Sequence, residues 1–320
     1  MRYYKTQQLM ISVVLCTCNR AELLAAALDT LCKQLSEKSA CEVIVVDNNS
    51  KDSTPDIVKN FCRDYPNIRY FLETHQGLSH ARNRGWQEAG GLYVAYVDDD
   101  CRMPAPWLTI AIEIINKIAP AVFGGPYFAF YNSPKPYWWK DSYGSYEKGR
   151  VSRPLSRFEY LRGGNIFFRR KILEDMKGFE VRLGMSGQTL GYGEETHLQR
   201  RIRLEMPNEI IYYDPRLYNY HLVRSEKMCI RWRLYSHFVN GRNSNEIFQK
   251  TFHETGRLNK LELLCRAVLT LFKLQANLLN GLLLRDRKQY PYMNNYLCEN
   301  TSKYFTMFGK LYEEFKAQKP

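Results

Sequence analysis

From residue 9 to residue 118, short apolar runs alternate with segments of helical periodicity, and this alternation restricts the fold more than any other feature. "LMISVVLCT", "CEVIVVD" and "NIRYFLE" read as strands, and the run Leu92 to Val97 as one buried on both faces. Between them lie "AELLAAALDTLCKQL", rich in helix formers at helical spacing, and "STPDIVKNFCRDY", with a cap signal and Pro55 early in the helix. "LSHARNRGWQEAGG" reads as a helix closed by glycines, and a further helix is expected from about Pro106 to Ile118. Strands and helices at this spacing imply βαβ units, hence an α/β fold with a mostly parallel sheet flanked by helices. The 320 residues, 45% hydrophobic, allow one large core or one core with a smaller appendage.

The Leu92–Val97 strand ends in Asp98, Asp99 and Asp100. Open α/β sheets put ligands at the carboxyl ends of their strands. Three adjacent like charges require a positive partner, and a divalent cation that prefers hard oxygen ligands would serve. A solvated acidic turn is the alternative. Two other strands also end in polar clusters: Thr17, Asn19 and Arg20 after the first, and Asp47, Asn48, Asn49, Ser50 and Asp52 after the second. In a parallel sheet these ends share one edge, so the clusters can converge on one crevice.

After "AVFGGPYFAFY" the rhythm breaks. Residues 131 to 160, rich in Tyr, Trp, Pro and Gly, are either a binding loop with aromatic walls or an irregular packing segment. From about Met228 the chain reads as helical. There Glu262, Arg266, Thr270, Lys273, Asn277 and Asn280 draw a narrow polar stripe on a wide apolar helix. A packing helix and a helix lying in a membrane interface both fit, and packing is preferred. No apolar run is long enough to span a bilayer.

Lys and Arg number 46 against 33 Asp and Glu, a net charge of +13 that suits polyanionic partners. Between Arg216 and Arg242 six basic residues face one acid. Nine cysteines, an odd number without a C-x-x-C, indicate thiols in a reducing compartment, read as the cytosol. The basic and apolar start of the chain imitates a signal peptide but leads into polar "TCNR" and reads better as the first strand.

The ordered series "VVLCTCNRAELL", "VIVVDNNSKDST", "GLSHARNRG", "YVAYVDDD", "RGGNIFFRR" and "GYGEETHLQRRI" resembles the motifs of family 2 glycosyltransferases of the GT-A fold. "YNYHLVRSEKMCIRWR" is similar to the histidine-containing segment of bacterial members. The resemblance covers roughly residues 10 to 240. It implies a GT-A catalytic domain over residues 8–225, a mainly helical extension over 226–320, a nucleoside-diphosphate sugar donor (a UDP-sugar is expected), a divalent Mn2+ or Mg2+, and inversion at the anomeric carbon. Asp98 and Asp100 are its metal candidates, projecting to one side if the triplet stays extended, with His221 completing the set. Thr17, Asn19, Arg20, Asp47, Asn49, Arg82, Asp99, Gly164, Asn165 and Arg224 are expected on the donor, with Asp99 toward ribose or sugar. Gly163 lies beside them as a second position of close backbone approach.

The pair Glu194–Glu195 stands where the family has Glu-Asp, which makes Glu195 the expected general base, with Glu194 as the other candidate because the longer arm shifts the carboxylate. Trp138 and Trp139 are weaker candidates for stacking on an acceptor sugar. The acceptor would be a hydroxyl of a glycan, a lipid-linked glycan or a protein, with peripheral contact to the cytoplasmic membrane face expected at most. A nucleotidyltransferase and a basic nucleic-acid-binding protein are the competing classes, though no glycine-rich phosphate loop or nucleic-acid module accompanies them. A catalytically dead sugar-nucleotide binder is a further possibility, disfavoured by the intact acidic triplet and Glu pair.

Overall fold

A computed structural model describes residues 9–35, 40–187, 189–248 and 259–318. Residue 8 and the parts of the expected helical extension at 249–258 and 319–320 lie outside the described residues. The chain forms two compact units. One takes the chain up to Phe130, Gly144–Arg182 and Glu194–Leu222; the other takes Tyr131–Tyr143, Leu183–Gly193 and the chain from Val223 onward.

The first unit opens with β1 (Ile11–Thr17), α1 (Ala21–Cys32), β2 (Cys41–Asp47), α2 (Thr54–Asp64), β3 (Ile68–Leu72), α3 (Leu78–Glu88) and β4 (Tyr93–Asp98). The short β5 (Cys101–Arg102), α4 (Trp107–Ile118), β6 (Val122–Gly124) and β7 (Tyr127–Phe130) follow. It is completed by β8 (Arg153–Pro154), β9 (Asn165–Arg169), α5 (Arg170–Asp175), α6 (Glu194–Glu205), β10 (Ile211–Tyr213) and β11 (Asn219–Leu222). Eight strands make one sheet in the order β3-β2-β1-β4-β9-β6-β10-β8; a smaller sheet runs β5-β11-β7.

The alternation read from sequence has a simple physical origin in this sheet. Ile11, Val13 and Leu15 of β1 enter one apolar layer with Leu24 and Leu28 of α1 and Trp107 of α4. Val14, between them, enters the opposite layer with Ala81 of α3 and Leu198 of α6. β2 and β4 divide in the same way, as side chains on a strand must. Burial on both faces is why these strands read as continuous apolar runs. Each fully buried aliphatic side chain contributes about 1.5–3 kcal/mol to holding the layers together.

β1 to β4 are parallel, but β9 runs antiparallel to β4, pairing Asn165 with Val97. The reversal matters for function. It carries the start of β9, with Gly163 and Gly164 just before it, to the edge where the parallel strands end. The register also sets Thr17 beside Asp47, and Asp98 beside Cys16, along that edge.

In the second unit the aromatic segment supplies a single 3-10 turn, Asp141–Tyr143. The helices are α7 (Ile230–Phe248), α8 (Lys260–Leu283), α9 (Met293–Asn300) and α10 (Ser302–Lys316). α7 and α10 cross where Gly241 and Gly309 face the opposing backbone. A methyl on Gly309 would sit 1.9 Å from the Phe238 carbonyl oxygen, so only glycine permits this approach. On α8 the residues turned inward form a thin line: Leu263, Thr270 and Gly281 buried, with Ala267, Leu274, Asn277 and Leu278 half-buried. The wide apolar face points outward. The preferred reading of α8 as a helix that packs by its apolar face is therefore corrected: the part of the polar stripe at Thr270 and Asn277 lies on the packed side.

Candidate active site

The loops after β1, β2 and β3 are laced together by short polar side chains. Asn19 and Asn49 adopt left-handed backbone conformations with φ of 54° and 63°, which asparagine tolerates better than most residues. The Asn19 amide donates to Ser50 Oγ at 2.8 Å, and its side-chain oxygen accepts from the Lys51 amide at 2.7 Å. Asn48 donates to the carbonyls of Glu73 and His75 and accepts from the Gly77 amide. Asp52 accepts from the Ala21 amide at the start of α1 and from the Thr54 amide and hydroxyl at the start of α2. The cap expected from Ser53 is thus supplied by its neighbour. Asp47 is fully buried, its carboxylate accepting from the Ser50 amide and the Tyr70 hydroxyl.

The acidic triplet does not stay extended. β4 ends at Asp98, and Asp99 and Asp100 form a turn that hands the chain to β5 in the second sheet. The turn buries Asp99, whose carboxylate accepts from Thr17 Oγ1 and Arg20 Nη1, each at 2.8 Å. Asp99 is therefore an internal anchor, and the expectation that it faces ribose or sugar is corrected. Burial pushes its carboxyl up to about 6; Arg20 opposes the shift and Asp100 adds to it. Even so, Asp98 and Asp100 come together: one carboxylate oxygen of each, with Cys101 Sγ, lies within 4.8 Å of the others. Cys101 fits a hard cation poorly. It is buried, burial pushes its thiol well up, and it donates to the Gly164 carbonyl at 3.8 Å.

A fourth group arrives from far along the sequence. β11 pairs antiparallel with β5, His221 opposite Cys101, and this brings His221 Nε2 to 3.3 Å from Asp100 Oδ1. The other ring nitrogen, Nδ1, is buried without a hydrogen-bond partner among the described residues. Two carboxylates and an imidazole suit Mn2+ or Mg2+ better than a soft metal. Gly164 keeps the cradle open, since a methyl there would sit 2.9 Å from Asp98 Oδ2.

The positive charge that the triplet demands is partly supplied by the protein. Arg20 lies 2.8 Å from Asp99 and 3.9 Å from Asp100. Arg82, expected on the base or pyrophosphate, is instead buried, 2.5 Å from Glu194 Oε1 and 3.8 Å from Asp98. Its guanidinium faces the rings of Tyr96 and Phe179. It is the internal counter-charge of two acids from different elements.

Glu194 and Glu195 occupy the first turn of α6, where the helix dipole favours negative charge. Two opposing influences act on Glu194. Burial, then the Glu195 carboxylate, push its carboxyl up to about 8, while Arg82 pulls it down and is itself held more firmly cationic. Glu194 is committed to Arg82. Glu195 is buried, and its carboxylate makes no hydrogen bond to a described residue.

Asn165 takes a structural place. It is buried, donates to the carbonyls of Pro126 and Leu217, and accepts from Trp107 Nε1, so its side chain ties strand ends together. Arg224 lies in the second unit, paired with Glu226 at 3.1 Å. Trp138 and Trp139 are buried in that unit: the Trp138 carbonyl accepts from Asn295, and Trp139 donates to the Tyr131 hydroxyl beneath Arg233. They form an aromatic nest, which corrects their expected use as an open stacking wall. In the basic run, Arg216 is paired with Asp214 and Glu113, and Arg242 with Glu313. That pairing removes charge from any nucleic-acid surface.

Two contributors escaped the sequence reading. Asn219 is fully buried and donates to the Gly164 carbonyl at 2.8 Å. Its signal was available: it lies two residues before His221 on one strand, hence on the same face. Gln199 exchanges hydrogen bonds with both backbone groups of Leu161, fixing the approach to Gly163 and Gly164. A lone glutamine on a helix carries no comparable signal.

Residues 12–177 match the family model described as "Glycosyl transferase family 2". Glycosyltransferase AglE of Haloferax volcanii is 29% identical over 179 residues, 55% of this chain and 58% of that protein. The GalNAc(5)-diNAcBac-PP-undecaprenol beta-1,3-glucosyltransferase of Campylobacter jejuni is 34% identical over 116 residues, 36% of this chain. The chain thus spans 58% and 37% of the lengths of these relatives. In fold it resembles the mannosyltransferase PcManGT from Pyrobaculum calidifontis, solved with GDP-Man and Mn2+, with TM-score 0.58 at 18% identity over 98% of this chain and 87% of that one. With the family model spanning more than half of the chain and the motif residues gathered on one sheet edge, the protein belongs to glycosyl transferase family 2.

Proposed function

We propose that the chain is an inverting glycosyltransferase that moves a sugar from a nucleoside-diphosphate sugar, read as a UDP-sugar, to a hydroxyl of a glycan or lipid-linked acceptor. The observation that carries this reading is the approach of Asp98 and Asp100 to one another beside Gly164, with His221 3.3 Å from Asp100 and the buried Glu195 carboxylate beside Glu194. Asp98, Asp100 and His221 are the residues that would hold Mn2+ or Mg2+. Such a cation, when bound, stabilises the charge that grows on a departing diphosphate.

The chain's own residues have the remaining tasks. Thr17 and Arg20 hold the acidic turn by fixing Asp99. Arg82 screens Asp98 from Glu194. Asn19 and Asn49, on the loops after β1 and β2, are the groups we assign to the base and ribose; Asp47 holds the second loop through the Ser50 amide. Glu195 takes the proton of the acceptor hydroxyl as that oxygen bonds to the anomeric carbon. The bond from that carbon to the diphosphate oxygen breaks in the same displacement, so configuration inverts. A positioned base of this kind contributes about 10² to 10⁴-fold in rate. We take the nine free cysteines to reflect a reducing, cytosolic setting.

Calorimetric titration with UDP and GDP, with and without Mn2+, tests the reading. The expected result is metal-dependent binding of one nucleotide, lost in Asp98→Ala and Asp100→Ala while both variants keep the wild-type melting temperature. Binding that ignores the metal, or survives both substitutions, would overturn the assignment.

A further inference from the structure

The proposed reaction leaves the outward face of α8 unused. Leu261, Leu264, Val268, Phe272, Leu279 and Leu283 lie on it, from 44% exposed at Val268 to 78% at Leu283. On a helical projection this face spans roughly half the circumference opposite the line Leu263, Thr270, Gly281 that packs inward. Twenty-four residues make a cylinder about 36 Å long. Apolar surface of this extent, interrupted by Gln275, is unusual on a chain surrounded only by water.

Charge indicates what covers it. Between Lys260 and Lys288 there are six basic residues and two acids. Both acids are engaged locally: Glu262 accepts from the Asn259 amide in the helix cap, and Asp286 accepts from the Lys288 amide. Arg266 and Lys273 are exposed along one edge of the apolar face, and Arg285, Arg287 and Lys288 follow its end. A second copy meets this pattern poorly, because an antiparallel pairing through the face sets basic edge against basic edge. No helix among the described residues is long and apolar enough to cross a membrane.

We infer that α8 lies in the surface of a bilayer containing anionic lipid, its apolar face among the acyl chains and its basic edge among the headgroups. This stands independently of the transfer reaction.

Co-sedimentation with vesicles of phosphatidylcholine, alone or mixed with phosphatidylglycerol, tests it on the full chain. Wild-type protein should pellet with the mixed vesicles, and less with phosphatidylcholine alone. The triple variant Leu264→Gln, Phe272→Gln, Leu279→Gln alters only exposed side chains and should lower partitioning by at least about tenfold. Arg266→Gln and Lys273→Gln should each lower it about fivefold, an effect that added salt masks. Nucleotide binding by the triple variant should match wild type, so this test and that of the transfer reaction fail separately. The inference is overturned if wild type remains in the supernatant with both vesicles, or if the triple variant binds unchanged. A wild-type dimer that the triple variant dissolves, without vesicle binding, would assign the face to a second copy instead.

Discussion

Gly164→Ala probes the cradle without touching a charged group. The added methyl would stand 2.9 Å from Asp98 Oδ2, where ordinary contact begins at 3.4 Å, so one of the two must give by about half an ångström. The backbone at Gly164 is not left-handed and accepts alanine. Asp98 Oδ2 is the end of a side chain that is 36% exposed, so the carboxylate moves rather than the core. Melting temperature should therefore shift by no more than about 2 °C. Function should suffer more. A misplacement of about 1 Å can cost roughly a hundredfold in rate, so about tenfold is expected here, with a matching loss of Mn2+-dependent nucleotide affinity. Turnover of donor in the presence of acceptor, alongside calorimetry, measures both. In an Asp98→Ala background the further loss should vanish, because the methyl acts through that carboxylate. Wild-type affinity in Gly164→Ala, or full additivity with Asp98→Ala, would refute the argument. Gly163→Ala is the contrasting case: its methyl meets the buried Arg82 guanidinium at 2.6 Å and should destabilise the fold by about 1–3 kcal/mol.

Replacing Arg82 with methionine leaves Glu194, once ionised above pH 8, buried without its counter-charge and should lower stability by about 3–5 kcal/mol in chemical denaturation at pH 9; a loss under 1 kcal/mol there would show the pair to be dispensable. The raised Glu194 carboxyl sets a pH trend. Its folded value, about 8, lies above its ordinary 4.5, so its contribution is fully present below 4.5 and is lost as pH rises through 8. Melting temperature should fall across that window, and Glu195→Gln, which removes the second cause of the shift, should flatten the fall; parallel curves would contradict it. Thiol titration at pH 8 should find exposed Cys229 and Cys265 reacting quickly, while burial, which pushes Cys16 and Cys32 up to about 12 and Cys41 to about 11, keeps those thiols silent. Rapid modification of Cys16 would mean that the edge of β1 opens.

The strand and helix rhythm was legible because each central strand is buried on both faces, which writes an unbroken apolar run into "CEVIVVD" and its counterparts. The site was legible as a set of residue types at strand ends. What those residues do with one another was not. Asp99 and Arg82 look from sequence like groups that reach outward to a ligand. The β4–β5 turn buries the first, and the arrival of α6 engages the second. Both effects depend on tertiary pairing between residues 79 and 112 positions apart, which no local pattern encodes. α8 was misjudged for a related reason. Periodicity defines two faces on a helix without saying which one its neighbours cover.

Three aspartates in a row raise the question of how such a turn survives folding. Metal alone is an insufficient answer, because the chain must fold before a cation finds a preformed site. The structure divides the charge. Asp99 is neutralised internally by Arg20 and Thr17, and Asp98 and Glu194 share Arg82 across two elements. Arg20 and Arg82 therefore counter the acids from within the protein, and Asp98 and Asp100 stand together beside Gly164. Substituting Arg20 should accordingly disturb the turn before it disturbs any donor contact: Arg20→Gln ought to lower both Mn2+ affinity and melting temperature, whereas a residue that binds donor alone would lower neither in the absence of nucleotide.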